Sequence, residues 1–96
     1  MSMEVNYDDF IEYCETLVGE TVDTIGRKSS FKIVSVNPDK IKYKLSTGKI
    51  RSTEKIRIQR VLEKYNKTHS LKTTDYTDIT QASSYTLGLL EKYIQR

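Results

Sequence analysis

The sequence predicts one small α+β domain spanning residues 1–96. It has an N-terminal helix, a three- to four-stranded antiparallel meander, and two C-terminal helices packed on one face of the sheet. Three observations carry this. Apolar residues recur at helical spacing at both ends of the chain. Between them they alternate or gather in short β-branched runs. Only a few turn residues separate those runs, too few for the crossover that parallel strands need. Ninety-six residues supply one hydrophobic core, not two.

The spacing predicts a helix over Asn6 to Val18, with Tyr7, Phe10, Ile11, Cys14, Leu17 and Val18 on one face. Asn6 is a good N-cap, Asp8 and Asp9 suit the positive end of the helix dipole, and Gly19 is placed to end it. Thr21 to Ile25 reads as a short strand and Gly26 to Ser30 as a loop. Phe31 to Val36 reads as a second strand. Its apolar residues fall on both faces, so either a bulge shifts the register or both faces are covered. Asn37-Pro38-Asp39 is a turn.

Lys40 to Ser46 alternates cleanly, with Ile41, Tyr43 and Leu45 inward and Lys40, Lys42 and Lys44 outward. A tight turn at Thr47-Gly48 then predicts a return strand, Lys49 to Ser52, with Ile50 inward and Lys49 and Arg51 outward. Ser52 or Thr53 is the expected N-cap of a helix to about Asn66, with Glu54 in its first turn. Ile58, Val61, Leu62 and Tyr65 form its buried stripe, although Ile50, Ile56 and Ile58 also fit a longer strand. Lys67 to Thr80 is polar and reads as a loop. A last helix, about Gln81 to Gln95, carries Ala82, Thr86, Leu89, Leu90, Tyr93 and Ile94 on one face, with Gly88 as a weak point.

Charge is distributed unevenly. The net value is only +3, yet the first 25 residues carry seven acids and no base. Residues 26–72 carry fourteen bases against Asp39, Glu54 and Glu63. Such segregation points to an anionic partner more strongly than the net value does. No run approaches the roughly 20 apolar residues of a membrane span, and the N-terminus has neither the basic nor the apolar part of a secretion signal. The single cysteine, Cys14, excludes an internal disulfide and suits a reducing compartment. The expected setting is the cytoplasm, with no membrane contact.

No catalytic motif stands out. One histidine and one cysteine cannot build a Cys/His zinc site, and no metal or other cofactor is implied. His69 in a polar segment reads as a solvent residue, and Cys14 on a helical stripe as core packing. The run from Gly19 to Ser29 superficially resembles a phosphate-binding loop. Its glycines are six residues apart where four are required, and a strand follows where a helix must start. Asn66-Lys67-Thr68 is a chance match to a glycosylation signal. No run of residues is specific enough to name a family.

The basic segment remains. Strict alternation places Lys40, Lys42, Lys44, Lys49 and Arg51 on one sheet face. Arg57, Arg60 and Lys64 have the spacing of one helical stripe, and Arg27, Lys28 and Lys32 lie in or beside the preceding loop. This arrangement predicts a non-enzymatic module that binds nucleic-acid backbone; five phosphate contacts imply a log–log salt slope of about −4 to −5 on duplex DNA. The segment's tyrosines, Tyr43 and Tyr65, are expected in the core, so no base-stacking platform is evident.

Other readings compete with this one. The partner could be an acidic protein, with this chain as an inhibitor or accessory subunit. The acids Asp8, Asp9, Glu12 and Glu15 could neutralise the basic face within the molecule or between copies, giving a homo-oligomer. Lysines on an open sheet could also serve solubility alone. A metal-free ribonuclease of small-toxin type, drawing on Lys42, Arg51, Arg57, Tyr43 and His69, is a minor alternative.

Overall fold

A computed structural model describes residues 4–26, 28–80 and 82–96. The order is α1 (Tyr7–Glu15), β1 (Thr21–Asp23), β2 (Ser30–Asn37), β3 (Lys40–Leu45), β4 (Ile50–Glu54), α2 (Lys55–Thr68), a short 3-10 helix (Thr73–Tyr76) and α3 (Ser83–Ile94). The four strands form one antiparallel sheet in sequence order, β1-β2-β3-β4. The expected α+β layout is therefore what the chain adopts. The helices lie on one face of the sheet, and the other face is open.

Each boundary has a local cause. The Asn6 side chain accepts from the backbone N–H groups of Asp8 and Asp9, which caps α1 as its sequence predicts. The helix ends at Glu15, three residues before its apolar pattern does. Turns then carry the chain to Gly19, whose φ of +90° suits glycine, and Val18 is left 46% exposed instead of joining the stripe. Tyr7 is half-buried. Its hydroxyl donates to the Pro38 carbonyl at 2.8 Å, fastening α1 to the β2–β3 turn. The first strand is shorter than expected and stops at Asp23.

The irregular pattern of the second strand resolves as a bulge. The register shifts between Ile33 and Ser35, so Val34 is the extra residue. Ile33 pairs with Tyr43 and Val36 with Ile41 on the covered side, while Ser35 pairs with Lys42 on the open side. One inserted residue thus returns both halves of the strand to the core.

The largest correction falls on the β3–β4 hairpin. A two-residue loop would pair Ser46 with Lys49 and send Ile50 inward. Instead Leu45 N–H donates to the Lys49 carbonyl at 2.7 Å across a three-residue loop, Ser46 to Gly48, with Gly48 at φ +93°. The one-residue difference reverses every side chain of the return strand. Arg51 therefore pairs with Tyr43 and Thr53 with Ile41 on the covered side, and Ile50 pairs with Lys44 on the open side, 60% exposed. Thr53 is consequently not a helix cap. It is buried, and its hydroxyl shares a hydrogen bond with the Tyr43 hydroxyl at 3.1 Å. The strand continues to Glu54, which takes the N-cap position of α2 without a side-chain bond.

Over the covered face runs one apolar cluster. It joins Phe10, Ile11 and Cys14 of α1, Phe31, Ile33, Ile41 and Tyr43 of the sheet, the expected α2 stripe Ile58, Val61, Leu62 and Tyr65, and Leu87, Leu89, Leu90 and Tyr93 of α3. Ala82 and Ile94, expected on the buried face of the last helix, are only half-buried, and Gln81 lies outside the described residues. Leu87 and Gly88 are buried instead, because α3 is wedged among α1, α2, the 3-10 helix and β1. Gly88 is where α3 meets the β1 end: a Cβ there would collide with the Asp23 carbonyl and stand 3.2 Å from the Thr24 Cα. The glycine that reads as a weak point is a close approach.

The polar stretch Lys67 to Thr80 is also more ordered than its composition suggests. Tyr76 is fully buried, and its hydroxyl donates to the Ser70 carbonyl at 2.7 Å. Asn66 accepts from the Val5 N–H at 2.8 Å and donates back to the Val5 carbonyl at 3.1 Å, pinning the N-terminal segment to α2.

Candidate nucleic-acid interface

The open face is assembled by register. Residues paired across antiparallel strands share a face, so Thr21, Lys32, Lys44 and Ile50 form one row across all four strands. Ser35, Lys42 and Ser52 form the next, and Asn37, Lys40 and Glu54 the third. Neighbouring strands lie about 4.8 Å apart and alternate residues about 6.7 Å apart, so the four lysines occupy one compact patch. Lys32, Lys42 and Lys44 are exposed, and Lys40 is half-buried beside the β4–α2 junction. Lys32, read from sequence only as a neighbour of the loop, is a full member of the patch.

The patch carries more positive than negative charge. Lys32 and Lys44 are directly opposed, an arrangement that costs stability. Among the described residues the one ion pair is Lys64–Asp78, at 3.3 Å, and it involves none of these lysines. Among the described residues acidic groups stand at the patch's margins: Asp23, which pairs with Ser30, Glu54, directly opposite Lys40, and Asp39, which lines one hollow with Lys40 and Glu54.

The other basic residues predicted for the site go elsewhere. Arg51 is on the helix side of the sheet, and Lys49 pairs with Leu45 on that same side. Five cations on one face therefore become three, with Lys32 as a fourth. Arg57 donates to the Ile79 carbonyl at 2.9 Å, and Lys64 is paired with Asp78 and lies over the Tyr76 ring at 5.6 Å. These two staple the Thr73–Thr80 segment to α2, leaving Arg60 as the exposed member of the predicted stripe without a side-chain hydrogen bond or ion pair among the described residues. Lys28 is exposed and lines a shallow hollow with Leu71, Thr73 and Ser84. Arg27 lies outside the described residues.

Neutralisation of the basic face by the acidic helix within one molecule is ruled out by topology. The helix α1 packs on the covered side, against β2, α2 and α3. Its carboxylates Asp8, Asp9, Glu12 and Glu15 are exposed there, with the sheet between them and the lysine patch.

The residues considered for ribonuclease chemistry do not converge. Tyr43 is buried against Thr53, and burial raises its pKa above the usual phenol value, partly opposed by that hydrogen bond. His69 ends α2 in the left-handed conformation (φ 55°), edge-on to Tyr65 at 5.4 Å between ring centres. Arg57 is tied to Ile79, and Lys42 is on the far side of the sheet from Arg51. Among the described residues no hydrogen-bonded base and orienting group face a common point. Cys14 is buried in the core, which pushes its thiol up to about 12 and keeps it protonated and inert. No group of three or more His, Cys, Asp or Glu side chains is arranged to hold a metal among the described residues. Nor is any described helix long and apolar enough to cross a membrane.

The class that fold and site define is a small α+β domain with helices on one face of a four-stranded sheet and a lysine patch on the other. This chain matches no known family, no curated protein and no solved structure.

Proposed function

We propose that the protein is a nucleic-acid-binding module that grips phosphate backbone with the open face of its sheet. The observation that carries this is the patch of Lys32, Lys40, Lys42 and Lys44, which holds two like charges directly opposed and no ion pair among the described residues. A sheet face kept this way loses stability on its own and gains it when phosphates supply the missing negative charge. Four phosphate contacts imply a log–log salt slope of about −3.6 on duplex DNA.

The test is fluorescence anisotropy with DNA and RNA probes across a salt series. Lys42→Glu combined with Lys44→Glu is expected to weaken binding more than tenfold and flatten the salt slope by about 2, with the fold intact by circular dichroism. Arg51→Glu, on the other side of the sheet, leaves binding within about twofold. Absence of binding by the native protein at low salt removes the proposal.

A second reading has one specific observation in its favour. Ile50 and Val34 are 60% and 40% exposed on the same face as the lysines. Apolar groups among cations suit an acidic protein surface, including the α1 face of a second copy. Under that reading Ile50→Ser releases the partner as effectively as the lysine reversals do. Under the leading reading it changes nucleic-acid affinity little.

A further inference from the structure

Resting on that reading of the open face, we infer that its ligand is a nucleic-acid double helix and that single strands are disfavoured. Proteins that hold single strands without sequence preference line a basic groove with aromatic rings on which bases stack. This chain has nine aromatic side chains, and all of them are committed elsewhere. Phe31 and Tyr43 lie on the covered face, packed edge to face at 5.4 Å, with Tyr85 against both. Phe10 and Tyr13 of α1 meet Tyr93 of α3 at 5.8 and 5.5 Å. Tyr7 is held by Pro38, Tyr65 is in the α2 stripe, and Tyr76 is buried under its own segment. The open face therefore offers nothing for a base to stack on.

What it does offer is charge at a raised level. Between the lysines stand Thr21, Ser35, Asn37 and Ser52, all short. The lysine stems carry their ammonium groups past these hydroxyls and amides, so phosphates are met before any base edge or sugar hydroxyl comes within reach. A face that works by charge alone favours the polymer of greatest charge density. Duplex DNA carries one charge per roughly 1.7 Å of axis, and each neutralised phosphate releases more counterion from it than from a single strand. The bases, already stacked inside the duplex, require nothing from the protein. Ile50 and Val34 do not alter this, because neither has the flat π-face that an unstacked base requires.

The experiment competes an unlabelled 25-mer duplex and each of its separated strands against a labelled duplex of the same sequence, at low salt. The duplex is expected to compete at least about tenfold better than either strand, with a salt slope steeper by the ratio of 0.9 to 0.7 per contact. A single-stranded competitor as strong as the duplex overturns the inference while leaving the phosphate-binding reading in place. Binding of neither form overturns both. A gain-of-function variant supplies an independent readout. Ser52→Trp adds a ring to the open face at an exposed position, and single-strand affinity is expected to rise about tenfold. If it does not rise, the missing aromatics are not what sets the preference, and the inference falls.

Discussion

The covered face of the sheet carries Phe31, Ile33, Ile41, Tyr43 and Thr53; the open face carries Lys32, Lys42, Lys44, Ser52 and Ile50. Both are built from the same strands, one residue apart. On the covered face the buried polar groups are answered: Thr53 meets Tyr43, and no buried side-chain nitrogen or oxygen lacks a hydrogen-bond partner among the described residues. On the open face Lys32 and Lys44 confront each other, and none of the four lysines is in an ion pair among the described residues. Residues on the first face are chosen for packing, where unsatisfied groups cost about 1–3 kcal/mol. Residues on the second tolerate a local loss of stability, which is why the open face is the one read as functional.

The comparison breaks most visibly at Gly88. Gly88→Ala forces α3 away from the Asp23 carbonyl and is expected to cost about 3 kcal/mol, read by urea denaturation. Duplex affinity measured where the variant is still folded should not change, because the lysine patch lies on the other side of the sheet.

A pH series sharpens the covered side. Burial raises Cys14 from an ordinary 9.0 to about 12. The folded chain thus holds a proton that the unfolded chain gives up at lower pH. The contribution to stability is complete below about pH 9 and declines from there through about pH 12. Thiol titration should accordingly find Cys14 unreactive at pH 8 in the folded protein and reactive once urea unfolds it.

Two smaller effects probe the open face. Glu54→Gln removes the carboxylate opposite Lys40 and should tighten duplex binding by about threefold at low salt, with the gain fading as salt rises. Lys32→Thr relieves the opposition to Lys44. It should stabilise the fold by about 0.5 kcal/mol while weakening duplex binding, so that stability and affinity move in opposite directions. A lysine whose removal lowers both would be serving the fold rather than a ligand.

Most of the fold is legible in the chain because periodicity is local. The α1 cap at Asn6, the α2 stripe from Ile58 to Tyr65, and the clean alternation of Lys40 to Leu45 are readable from neighbours alone. The site is less legible. Alternation alone puts Lys49 and Arg51 beside Lys42, and the loop length moves them to the other face. The spacing of Arg57 and Lys64 on a helical stripe does not show that the segment around Asp78 and Ile79 folds back against them. Lys32 joins the patch only through the β2–β3 register, and the pattern of the second strand fits a bulge or two covered faces equally well. Tyr76, in a stretch with no periodicity, gave no signal of burial.

What the sequence by itself determined is the class of the fold, the order of its elements, the segregation of acidic from basic charge, and which three lysines of β3 share a face. Each follows from spacing within a few residues. What only the tertiary structure decided is which charges meet. The loop at Ser46–Gly48 has three residues where a two-residue turn also fits the sequence, and with a side-chain period of two that difference sends Arg51 to one side and Ile50 to the other. The acidic helix, adjacent to the sheet in the chain, is kept from the lysines because its apolar stripe must face the same core as Phe31 and Ile33. Burial of that stripe outweighs any attraction between exposed charges, and so the basic face is left open.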